Sequence, residues 1–105
     1  MTRWALADAE ERHEWRPQSF VLRPLAERMD LQPEDYVALI FVHPADEDDY
    51  NVAGERVWVA VTERRLGPRY TGRLIGQAVT LAIKVGQVVE FGPEHVADIE
   101  RKDYP

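Results

Sequence analysis

The sequence predicts an α+β domain: a mainly antiparallel, strongly curled sheet or small, partly open β-barrel with short flanking helices. Three observations carry this. Runs rich in β-branched and aromatic residues recur at intervals of roughly 8–12 residues, joined by Gly/Pro turns, which is the signature of sandwiches and small barrels. Two of them, YVALIFVH (36–43) and RVWVAVTE (56–63), contain no breaker. Strong helix formers collect near the ends of the chain, where short helices can cover open sheet edges.

Taken in order, residues 5–14 (ALADAEERHE) predict a short helix. Its apolar residues are mostly Ala, so Trp4, Leu6 and Trp15 supply its docking area. It stops before Pro17, because proline disfavours α geometry in the residue before it. Residues 19–22 (SFVL) read as extended, and Pro24 opens one helical turn, PLAERM, at its first position. The run 36–43 is almost continuously apolar, which predicts burial on both faces. Residues 44–55 (PADEDDYNVAGE) are a loop by composition. In the strand 56–63, Val57, Val59 and Val61 share one face and Trp58, Ala60 and Thr62 the other, because side chains alternate. Gly67-Pro68 turns the chain into a third strand, 69–75, where Gly72 marks a bulge or a close approach. Residues 79–84 (VTLAIK) and 87–91 (QVVEF) read as two more strands with Gly86 between them. Gly92-Pro93 then opens a last short helix, PEHVADIER. The organisation is an N-terminal helical segment (1–16), a single β-rich domain (17–101) and a frayed end (102–105). Residues 31–41 and 83–91 echo each other: an apolar anchor, a tight turn, then a strand ending in Phe. Such an echo predicts two strands led into one sheet by similar turns.

The 105 residues suit one core, and 45% apolar with 30% charged residues is ordinary globular composition. No apolar run approaches membrane-spanning length, no secretory signal stands at the N-terminus, and there is no cysteine, so a cytoplasmic setting is expected. The absence of cysteine also excludes disulfides, thiolate metal sites and Cys nucleophiles. Formal charge is −6, distributed as −7 over residues 1–53, +3 over 54–91 and −2 over 92–105. An acidic chain repels a nucleic-acid backbone, so nucleic acid is an unlikely partner, with the middle segment a local exception.

Two clusters could carry function. In the first, His43, Asp46 and Asp48 with neighbouring acids resemble metal ligands, but the run has no Gly and no alternating Asp spacing. A solvated acidic loop is the plainer reading. The second joins Arg56, Trp58, Arg64 and Arg73. On a strand, Arg56, Trp58 and Arg64 fall on one face, and Arg and Trp are the residue types enriched at interaction hot spots. Arg stems packed over a half-buried Trp would give the same pattern. His13, His43 and His95 show no metal-binding spacing. Ser19 is the only serine and lies outside any nucleophile elbow, and the glycines are single, so none builds a phosphate loop.

From Ser19 onward, about 80 residues resemble a family of uncharacterised bacterial domains. The likeness rests on Ser19-Phe20 with Pro24, on Leu31 to Phe41 and Ile83 to Val96 as repeated L-x-x-GD-x-V-type lead-ins, and on Gly54-Glu55-Arg56-Val57-Trp58-Val59-Ala60-Val61 beside a GERMWVEV strand. The first lead-in has Glu34-Asp35 for Gly-Asp and the second Gly86-Gln87. Gly76-Gln77-Ala78 replaces an Asn-x-Pro hairpin tip. Related groups are assigned as immunity proteins of bacterial toxin systems, so the resemblance implies a compact domain with a protein-binding role; it does not imply a reaction. The expected function is a non-enzymatic protein-interaction module without cofactor, contacting its partner through Arg56, Trp58, Arg64 and Arg73. The alternatives are a small-ligand or metal-dependent enzyme using His43, Asp46 and Asp48, and nucleic-acid binding through the Arg56–Arg73 strands.

Overall fold

A computed structural model describes residues 4–79 and 81–101. Six strands form one antiparallel sheet: β1 (Ala5–Leu6), β2 (Tyr36–Val42), β3 (Glu55–Arg65), β4 (Arg69–Leu74), β5 (Val88–Phe91) and β6 (Val96–Glu100). Neighbours run β1-β2-β3-β4-β5. β6 lies on the same edge of β2 as β1, pairing with its first half. The sheet curls into a nearly closed barrel with one unsealed seam, where β5 and β6 are left unpaired with each other. Two short helices, α1 (Ala9–Trp15) and α2 (Leu25–Arg28), complete an α+β domain.

The valines of β3 behave as the alternation predicts: Val57, Val59 and Val61 enter the barrel with Val37, Leu39 and Phe41 of β2, and Tyr70 stacks on Phe91 at 5.4 Å between ring centroids. β2 is buried on both faces. Its outward Ala38, Ile40 and Val42 lie under Ala7, Ala9, Phe20 and Leu22, so the N-terminal segment forms a second apolar layer on the outer face of the sheet. Residues 4–16 are thus built into the fold. Trp4 meets Phe41 edge-on at 5.2 Å, and Leu6 packs on the core, while Trp15 stays largely exposed beside Tyr50.

Four elements differ from the expectation. The N-terminal helix begins at Ala9, because the Asp8 side chain caps it by accepting from the Glu11 N–H at 2.9 Å. Ala5 and Leu6 instead pair with Val42 and Phe41 as a strand. Pro24 is the N-cap of α2 rather than its first residue. Residues 79 and 81–84 form no strand, and Thr80 lies outside the described residues. The Glu55 carboxylate accepts the N–H groups of Val79 (2.6 Å) and Leu81 (3.2 Å), supplying the partner that a neighbouring strand would have offered. The last helix is reduced to a 3-10 turn, Pro93–His95, and residues 96–100 are β6, paired with β2. The frayed end expected at 102–105 lies outside the described residues.

The echo in the sequence is a structural repeat. Glu34 and Gly86, at equivalent positions, both have positive φ, +79° and +90°. Each donates its N–H to a strand carbonyl at 2.8 Å, Glu34 to Val61 and Gly86 to Leu74. The next residue's carbonyl takes the same strand residue's N–H in return, at 2.8 Å to Asp35 and 3.0 Å to Gln87. Glu34 occupies without glycine a backbone region that disfavours side chains.

His95, half-buried in the Pro93–His95 turn, accepts the Gly92 N–H on Nδ1 at 3.0 Å. That lone pair is therefore committed, so the 3.3 Å approach of Glu94 is not an ion pair while the ring is neutral. Burial pushes the His95 pKa below the ordinary imidazole value, with Arg69 adding to the effect and Glu94 opposing it. The unfolded chain takes up this proton first as pH falls, so the contribution of a neutral His95 is full at high pH and is lost as pH drops below 6.5. Replacing His95 with Gln is expected to flatten the fall in urea midpoint across this range. An unchanged slope would show that other groups control it.

Candidate functional site

The four residues of the predicted contact face separate on the structure. Arg56 reaches away from the strand and lies over the Phe20 ring, 4.9 Å from its centroid. Trp58 is half-buried at the edge of the second apolar layer. Arg73 is exposed on the outer face of β4, opposite Ala60 of β3 and Val88 of β5. Arg64 stands on the other face. The register slips at Thr62, so that Val61 faces Gly72 but Arg64 faces the buried Tyr70. One extra residue reverses the alternation beyond it. Arg64 therefore points toward the end of α2, with Nη1 3.7 Å from Asp30 Oδ1 and Nη2 3.5 Å from the Met29 carbonyl. The bulge lies on β3. Gly72 is the close approach, where a Cβ would sit 2.5 Å from Val59 Cγ1.

The N-terminal layer covers the β1, β2 and β6 side of the outer face and reaches Arg56 and Trp58 at the start of β3. From Ala60 onward, over β4 and β5, the outward residues are exposed or partly exposed. There Ala60, Arg73 and Val88 form one cross-strand row, and Ile75, bonded through its N–H to the Trp58 carbonyl at 3.0 Å, extends the next. Ile75 and Val88 are about half exposed, at 46% and 55%. Sequence reasoning missed both, although Val88 stands out as an apolar residue on the outward side of an alternating strand. Glu63 and Glu90, each paired in register with Thr71, border the patch.

The arginines divide into two sets. Arg23, Arg28, Arg64, Arg65, Arg69 and Arg101 each lie within 3.7 Å of a carboxylate oxygen. Among the described residues Arg12, Arg16, Arg56 and Arg73 have no such partner. In an acidic chain this is selective, since carboxylates outnumber cations by 19 to 13.

The His43 loop is organised by a 3-10 turn, Pro44–Asp46. His43 and Asp48 are exposed, and His43 and Asp46 share the rim of a shallow cavity with Glu55. The Glu55 carboxylate is held by the Val79 and Leu81 N–H groups. Among the described residues no three His, Asp or Glu side chains gather as metal ligands.

The motif that carries the bacterial-domain resemblance has a structural explanation. Gly54 has φ +71°, and a Cβ there would meet Val42, Phe41 and Ile40 atoms at 2.7–2.9 Å. Glu55 accepts the Val79 and Leu81 N–H groups, and Arg56 borders a cleft beside α1. No protein-family model matches the chain, and no curated protein or solved structure is significantly similar to it.

Proposed function

We propose that this domain is a non-enzymatic protein-interaction module, and that the open half of its outer sheet face is the contact surface. The observation that supports this is the unpaired Arg73 set among Trp58, Ile75 and Val88, with Glu63 and Glu90 at the border. Protein interfaces have this composition, with aromatic, aliphatic and Arg side chains at the centre and a polar rim. The fitting partner is a protein surface that presents an apolar group and a carboxylate to Arg73. The formal charge of −6 over the whole chain disfavours a nucleic-acid backbone. The resemblance to uncharacterised bacterial domains, whose related groups are assigned as immunity proteins, is compatible with a protein partner. Bacterial origin and a cytoplasmic setting belong to this proposal. No helix among the described residues is long and apolar enough to cross a membrane.

The test is capture from the native lysate. Arg73→Glu with Ile75→Asp is expected to lose a protein that both wild type and Leu66→Ser retain, since Leu66 sits fully exposed on the β3–β4 hairpin. Loss in all variants, or retention in all, would remove this face as the site.

A further inference from the structure

Three of the four arginines without a carboxylate partner line one cleft. It has a volume of about 290 Å³ and lies between α1, the 16–20 turn, the 50–53 loop and the start of β3. Arg12, Arg16 and Arg56 stand there with Trp15, Phe20 and Tyr50, and no carboxylate belongs to the lining. Each guanidinium is placed against a ring: Arg16 4.3 Å from the Trp15 centroid, Arg56 4.9 Å from Phe20 and Arg12 5.9 Å from Tyr50. Stacking of this kind holds the planar cations of Arg16 and Arg56 in place and leaves their N–H edges free to donate, whereas Arg12 gives both terminal nitrogens to backbone carbonyls.

Arg12 is the informative member. It is 5% exposed, yet its charge meets only neutral oxygens, the carbonyls of Val52 and Asp49, and its Nε has no partner. Burying a cation without a counter-charge is costly, and an anion arriving in the cleft would relieve that cost. The Tyr50 hydroxyl is committed to Glu11, a bond that raises its pKa to about 12. Tyr50 therefore stays neutral and contributes its ring, adding no negative charge to the cleft.

We propose that this cleft binds a small oxyanion, phosphate or carboxylate, carried on a planar ring. Guanidinium forks match both oxyanions in two-pronged geometry, and the flat walls of Trp15 and Phe20 suit a ring. The site is separate from the open sheet face, since Arg73 takes no part in it. Either proposal can fail without the other.

The experiment titrates phenyl phosphate, benzoate, inorganic phosphate and phenol into the ¹⁵N-labelled chain and follows the Trp15 indole with the Ser19, Asn51 and Ala53 amides. Phenyl phosphate or benzoate is expected to saturate shifts at these positions, while phenol does not. Whichever of the two binds more tightly identifies the oxyanion, and inorganic phosphate separates the contribution of the ring. Arg16→Gln and Arg56→Gln, both at exposed positions, are each expected to weaken binding about tenfold. Arg12→Gln tests the buried member, and its fold is checked by the unchanged spectrum of β4 and β5. The proposal is overturned if neither ring-bearing anion saturates, if phenol binds as well as they do, or if the Arg16 and Arg56 variants bind like wild type.

Discussion

Gly54→Ala is expected to lower the unfolding free energy by about 3 kcal/mol. A left-handed backbone costs a residue with a Cβ roughly 1–2 kcal/mol, and forcing a methyl group into a packed core costs roughly 1–3. Both apply here. Gly54 has φ +71°, and its added Cβ would lie 2.7 Å from Val42 Cγ1, 2.8 Å from the Phe41 carbonyl oxygen and 2.9 Å from Ile40 Cγ2. Two of those atoms belong to the second apolar layer, and the carbonyl belongs to the ladder between β2 and β3, so none can move aside cheaply. Gly67 provides the control. Its φ is +76°, but nothing lies within 4 Å of the added Cβ. Gly67→Ala therefore carries only the backbone cost, about 1 kcal/mol. Urea unfolding of the two variants isolates the packing penalty as their difference. Equal losses would mean that the loop before β3 gives way and that Gly54 is there for conformation alone.

Arg28→Met should cost nearly as much, again about 3 kcal/mol, because two carbonyls lose their donor. Arg28 is 4% exposed. Its Nε donates to the Arg23 carbonyl at 2.8 Å, and its Nη1 donates to the Pro93 carbonyl at 2.9 Å and to Glu10 Oε2 at 2.7 Å. One side chain thus ties α1, the lead-in to α2 and the turn that joins β5 to β6 at the unsealed seam. The Tyr70 hydroxyl completes the tie, donating to the Arg28 carbonyl at 3.0 Å. Methionine fills the space but leaves the carbonyls of Arg23 and Pro93 unsatisfied. Glu10 is partly exposed and can turn to water when Arg28 is lost, whereas Glu10→Gln keeps an acceptor but removes the counter-charge of a buried cation and should cost about 2 kcal/mol. Hydrogen exchange gives the sharper reading. The amides of β5 and β6 are expected to lose protection in Arg28→Met before those of β2 and β3. Uniform loss across all strands would show that the seam is no weaker than the rest.

The sheet was legible wherever its cause is local. The unbroken apolar run of β2 and the alternating valines of β3 announce their burial, and the matched turns before β2 and β5 are visible as an echo in the sequence. The misreadings arise where distant residues decide. Val79–Lys84 has the composition of a strand, but a carboxylate from the start of β3 takes two of its N–H groups. Val96, Ala97 and Ile99 satisfy a helical pattern as readily as a strand, and pairing with β2 decides between them.

The candidate surfaces follow the same rule. Arg73 and Trp58 could be named from strand patterning, whereas the slip at Thr62 that turns Arg64 away leaves no mark in composition. The cleft was out of reach as a whole, because its residues come from positions 12 to 56 and meet only through the packing of α1 on the sheet. One signal was present: Arg12 and Arg16 stand four apart in sequence, the first within α1 and the second at its C-cap. The Gly-Glu-Arg motif also reads differently once folded. Two of its three residues hold loops in place, so likeness in that motif carries information about architecture more than about a partner.

The most direct test of the central claim is photo-crosslinking in the native cell, with a benzophenone side chain placed at position 75 or 88 and, for comparison, at position 66 on the β3–β4 hairpin. The interaction account predicts one discrete adduct from 75 and 88 that is absent from 66 and suppressed by Arg73→Glu. Identical adduct patterns from all three positions, or an adduct indifferent to Arg73, would contradict the assignment of the open sheet face as the partner surface.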